Sequence, residues 1–73
     1  FQMEELLNMI RELPTGCRTV FNLFAIEGYS HKEIAEMLEV SEGTSKSQFA
    51  RARKLLQEKI AGEEKTERYE KFR

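Results

Sequence analysis

Lys46, Arg51, Arg53 and Lys54 place four cations within nine residues, and most of the residues among and just before them are small: Gly43, Ser47 and Ala50. Cations around a strip of small residues suit recognition of a polyanion. Long side chains hold its charged rim, while the bare strip lets backbone come close. An arginine can also bond two acceptors on a guanine edge, and a lysine can supply one donor group there. Catalytic chemistry reads poorly by contrast. The chain has one histidine, His31, and one cysteine, Cys17, and its scattered glutamates form no acid–base pair. It shows no phosphate-cradling glycine loop, no nucleophile–base pair and no metal-ligand cluster, so neither enzyme nor cofactor is read.

The cations need a helix to present them. With Ser45 at zero on a helical wheel, Phe49, Ala52, Leu56 and Ile60 fall within roughly 60° of it and form an apolar stripe. Gly43, Ser47, Ala50 and Lys54 fall on the opposite side. Lys46 and Arg53 flank that outer face on one side and Arg51 on the other, Arg53 lying nearer the core boundary. An ordinary solvated face would carry Glu and Lys paired four apart. Gly43 would cost such a helix up to about 1 kcal/mol relative to Ala. The major groove of DNA, with base edges on its floor and phosphates at both rims, fits this face. A solvated basic helix in a bundle fits the charge run alone equally well.

Three further helices are expected ahead of it. Met3, Leu6, Leu7, Ile10 and Leu13 recur at helical spacing over 3–13, and Pro14 separates this helix from one over 14–26. The second carries Cys17, Val20, Phe21 and Phe24 on one stripe, and Gly28 supplies a left-handed stop. Ser30-His31-Lys32-Glu33 fits a capping box that opens a short third helix bearing Ile34, Met37 and Leu38. Ser41 is the candidate cap of the fourth helix, which is expected to stop near Ala61-Gly62. The fold class is therefore all-α, a four-helix domain containing a helix-turn-helix. Residues 1–62 form the domain, and residues 63–73 a charged tail with only Tyr69 and Phe72 to bury.

Composition agrees. Seventy-three residues, 40% apolar with one proline, make one small domain with a modest core and no membrane-inserting run. A single cysteine points to a reducing compartment. Residues 1–13 lack a secretory signal's basic start and cleavage site, and a start at Phe1 rather than Met points to a piece of something longer. The net charge is −1, but it is unevenly spread. Over 27–43 five glutamates face Lys32 alone, whereas over 44–60 five cations face Glu58 alone. Location matters more than the total.

Leu13-Pro14 with Arg18 and Val20-Phe21, followed by Glu27-Gly28-Tyr29-Ser30 and Glu33-Ile34-Ala35, resembles region 4 of bacterial sigma factors. Ser41-Glu42-Gly43-Thr44-Ser45-Lys46-Ser47 with Arg51-Ala52-Arg53 is similar to the extracytoplasmic-function (ECF) group in particular. The likeness covers about residues 5–57. It implies a cytoplasmic, nucleoid-associated bacterial protein that binds the −35 promoter element and docks on the β flap of RNA polymerase, with an anti-sigma factor as regulator. It also implies base reading at Lys46, Ser47, Ala50 and Arg51. Phosphate contacts are implied near Arg18, Lys32, Ser41 and Thr44; Arg53 and Lys54 join them from the charge pattern, Arg53 being equally suited to a structural ion pair.

Two positions depart from that resemblance. Glu39 stands in the turn where many relatives have Gly and would adopt positive φ at about 1 kcal/mol. Ser45 stands on the buried stripe where many have Val, and its hydroxyl needs a partner, for which a carbonyl one turn back is expected. His31 is expected at the surface, Cys17 as a small packing residue, and Met3, Met9 and Met37 as core fillers. Two other readings remain open: the effector domain of a LuxR-type response regulator, and a module whose first two helices mainly bind protein.

Overall fold

The structure, a computed structural model, describes the backbone of residues 2–71 and the side chains of residues 2–62. Its elements are α1 (Met3–Arg11), α2 (Thr15–Phe21) continued by a π-helical segment (Asn22–Ile26), α3 (His31–Leu38) and α4 (Glu42–Lys71). No strand occurs among the described residues. The all-α expectation holds, with α3, a three-residue turn and α4 as the helix-turn-helix.

The helix ends follow the local chemistry. Pro14 stands at the N-cap of α2, where a missing N–H costs nothing. The Arg18 guanidinium reaches back to donate to the Arg11 carbonyl at 3.1 Å, which satisfies one of the free acceptors at the end of α1. Past Phe21 the ladder widens by a residue, the Glu27 amide bonding the Asn22 carbonyl at 3.0 Å, and beyond the segment the Tyr29 amide reaches the Leu23 carbonyl, six residues back, at 2.9 Å. Gly28, at φ 82°, turns the chain out of this segment. The expected capping box is present: Ser30 Oγ accepts from the Glu33 amide and Glu33 Oε1 from the Ser30 amide, both at 3.1 Å. Glu39 ends α3 at φ 56°, ψ 45°, and the Val40 amide closes the turn on the Ala35 carbonyl at 3.0 Å.

The core joins Met9, Ile10 and Leu13 to Cys17, Ala52 and Leu56, with Leu6, Phe21, Leu55 and Ile60 packed around them. Val20, Ile34, Ala35 and Ser45 are buried as well, so α4 packs on all three preceding helices. Several expectations need correction. Met3 and Met37 are at least half exposed, and Leu7 and Leu38 are exposed too. α1 and α3 are each covered along part of their circumference, and helical spacing spreads apolar residues wider than that part. Nor does α4 stop at Ala61-Gly62; it continues to Lys71. A glycine lowers helix stability without ending a helix unless the chain turns left-handed there. The side chains of 63–73, with Tyr69 and Phe72, lie outside the described residues.

Candidate nucleic-acid interface

The first turn of α4 is built by its cap. Ser41 Oγ accepts from the Thr44 amide at 3.0 Å and lies 2.8 Å from Thr44 Oγ1, one hydroxyl donating to the other. That bond fills an amide that would otherwise lack a partner and starts the helix at Glu42. Gly43 follows, and a Cβ built there would meet nothing closer than Ser41 Oγ at 3.8 Å. The protein itself therefore leaves room for a side chain at 43.

Burial divides α4 as the wheel does. Ser45, Ala52 and Leu56 are buried, and Gln48, Phe49, Leu55 and Ile60 half-buried. Gly43, Lys46, Ser47, Ala50, Arg51 and Lys54 are exposed, so small residues and cations share one open face. Arg53 is exposed as well, and no ion pair among the described residues holds it, so the ion-pair alternative has no support. The ammonium and guanidinium groups of Lys46, Arg51 and Lys54 are likewise unengaged there. Lys32, on α3, is exposed. Arg18 differs: it is half-buried and spends one donor on α1. Its position is fixed by that bond and not by α4.

Three polar side-chain contacts tie α4 to what lies beneath it. Cys17 Sγ donates to Gln48 Oε1 at 2.9 Å, which couples α2 to α4. Lys59 pairs with Glu12 just past α1. His31 Nδ1 lies 2.9 Å from Ser45 Oγ, with the donor set by the imidazole tautomer. The last contact overturns two expectations. His31 is half-buried, its ring stacked on Phe24 with centroids 4.2 Å apart, and Ser45 is satisfied by a side chain across the turn instead of a carbonyl one turn back. Cys17 is the packing residue expected, 2% exposed, with a bond that its isolation in sequence did not announce.

The family model described as "Sigma-70, region 4" matches residues 3–56. The chain belongs to the sigma-70 region 4 family. It is also similar to an ECF RNA polymerase sigma-E factor from Haemophilus influenzae, 37% identical over 51 residues, which are 70% of this chain and 27% of that protein. The chain thus spans about a quarter of the length of the curated relative it matches. No solved structure matches it. The matched span ends at residue 56, within α4, so it contains α3, the turn, the first half of α4 and every residue of the open basic face. Among the described residues no helix is long and apolar enough to cross a membrane, and no cluster of His, Cys, Asp and Glu could hold a metal.

Proposed function

We propose that residues 1–62 are the −35-reading domain of an ECF-type sigma factor, which directs RNA polymerase to promoters. One observation carries the reading: within a sigma region 4, the exposed face of α4 combines Gly43, Ser47 and Ala50 with the unengaged cations Lys46, Arg51 and Lys54. Lys46, Ser47, Ala50 and Arg51 meet base edges in the major groove, the guanidinium of Arg51 bonding a guanine. Lys32, Arg53, Lys54 and the Ser41–Thr44 pair at the helix start take phosphates, helped by the positive end of the helix dipole. Arg18, anchored to α1, offers its remaining donors to the same strand. None of these roles requires catalysis or a cofactor.

RNA polymerase core, through its β flap, is the proposed protein partner, and an anti-sigma factor the proposed regulator, in the bacterial cytoplasm at the nucleoid. The exposed Met3 and Leu7 on α1 favour a protein contact on that helix. The LuxR-type reading loses its footing with the family match. Affinity of the chain alone is modest, because few phosphates are neutralised and the net charge is −1.

The test is binding to a −35 duplex and to a scrambled duplex, followed by fluorescence anisotropy. Arg51→Ala and Lys46→Ala are each expected to weaken the specific duplex by about 1–3 kcal/mol, with a smaller loss on the scrambled one. Unchanged specific binding in both variants refutes the base-reading assignment.

A further inference from the structure

Ser45 is the only buried polar residue among the described ones, fully enclosed on the inner side of α4. Its partner, His31, is equally constrained. The capping box at Ser30 and Glu33 fixes the start of α3 and hence the backbone of His31. The imidazole lies flat on Phe24, 4.2 Å between centroids, and meets Phe49 edge-on at 5.7 Å. Phe49 sits one turn after Ser45 on α4 and packs on Phe21 and Phe24. Ring and hydroxyl are therefore both held before they meet, and Nδ1 and Oγ are 2.9 Å apart. No other side-chain hydrogen bond joins α3 to α4 among the described residues. Apart from the His31–Phe49 ring contact, the buried residues of α3 are the apolar Ile34 and Ala35, whose burial sets no direction.

We infer that the His31–Ser45 hydrogen bond is a positioning contact that sets the height and rotation of α4, and thereby the register in which Lys46, Ser47, Ala50 and Arg51 meet DNA bases. It rests on the functional reading above and adds two residues that touch no DNA. An apolar pair in place of the bond would sit at about 3.5–4.0 Å. The directed bond at 2.9 Å, by contrast, holds its separation within the narrow range of about 2.7–3.2 Å. Gly43, Ser47 and Lys54 lie across the helix from Ser45, so a displacement at Ser45 is passed to them undiminished. Base-edge hydrogen bonds tolerate only about 0.5 Å. Phosphate contacts through long lysine and arginine stems follow such a shift easily. Discrimination between sequences therefore falls before general affinity does.

The experiment compares the 73-residue chain with His31→Phe, Ser45→Ala and the double variant. A duplex selected by the wild-type chain from a random pool is set against its scrambled form. Residual dipolar couplings measure the α3–α4 orientation, and urea unfolding measures stability. His31→Phe leaves the Ser45 hydroxyl unpaired and lowers the unfolding midpoint, and the double variant restores most of that loss. The double variant nevertheless changes the α3–α4 orientation, and its discrimination falls by about tenfold, with binding to the scrambled duplex changed by less than about twofold. Wild-type orientation and discrimination in the folded double variant overturn the inference. If the double variant does not fold, His31→Asn decides, because it keeps an acceptor at the place of Nδ1. Discrimination retained there supports a positioning bond, and discrimination lost overturns it. A wild-type chain that selects no sequence refutes the functional reading instead, and the orientation measurement still judges the positioning contact.

Discussion

Glu39→Gly should stabilise this domain, and Gly28→Ala should destabilise it, for the same physical reason. Both residues hold the left-handed conformation, Glu39 at φ 56° and Gly28 at φ 82°. An L-residue pays about 1–2 kcal/mol there, because Cβ crowds the following carbonyl oxygen. Glu39 is exposed and makes no side-chain bond among the described residues, so nothing offsets that strain. Glycine removes it but adds freedom to the unfolded chain, worth about 0.4–1 kcal/mol. The net expectation is a gain of about 0.5–1 kcal/mol. For a chain of this size that raises the melting temperature by about 3–6 °C. Gly28 is the control, since a Cβ there meets nothing within 4 Å and only backbone strain is added. Its replacement should cost about 1 kcal/mol or slightly more. Urea unfolding followed by far-UV circular dichroism measures both, and equal slopes establish that stability alone has changed. A lower midpoint for Glu39→Gly, alongside a loss for Gly28→Ala, would sink the strain argument, because a compensating contact at Glu39 would then be required.

Three other perturbations separate folding from DNA reading. Ser30→Ala removes the side-chain acceptor of the Glu33 amide at the start of α3 and should cost about 1 kcal/mol in thermal unfolding. Glu33→Ala should show part of the same loss. Gly43→Ala has room for its methyl group in the free domain and should add up to about 1 kcal/mol of stability. The same methyl should weaken binding to the −35 duplex, so a gain in both quantities argues against close approach at that position. Lys54→Ala should weaken specific and scrambled duplexes alike and reduce the steepness of the salt dependence by about one unit on a double-logarithmic plot. An unchanged slope removes Lys54 from the phosphate-contacting set.

What could be read from the sequence was whatever a local rule determines. Ser30 and Glu33 form a capping box because their spacing brings each side chain to the other's amide, and the structure shows both bonds. Glu39 takes positive φ because the turn after α3 leaves no other course. The outer face of α4 was legible because helical geometry alone opposes it to Ala52 and Leu56. The misses in packing all required knowledge of a neighbour. Met37 and Leu38 look like core residues by spacing, yet the residues that α3 buries are Ile34 and Ala35. His31 looked like a surface residue because its stacking partner, Phe24, comes from another helix. Cys17 and Gln48 meet across 31 residues, and nothing local pairs them. One signal was available: an unexplained buried hydroxyl at Ser45 and an isolated histidine at the start of the facing helix are each incomplete alone, and each supplies what the other lacks.

The small polar stretch from Ser41 to Ser47 follows from close approach on two sides of one helix. Inside, a side chain longer than serine at position 45 would hold α4 away from the His31 ring, and one without a polar atom would leave Nδ1 without its partner. Outside, Gly43 and Ser47 keep the opposite face bare between Lys46 and Arg51. A helix is a stiff rod about 10 Å across with its side chains, so its two faces cannot move independently. Whatever sets the inner distance also sets how far the outer face stands from its target. A linker-like composition is thus compatible with a tightly specified geometry, because the specification lies in the two residues that face inward across the turn. Substitutions at Ser45 or His31 should then lower discrimination between DNA sequences, although both side chains face inward across the turn.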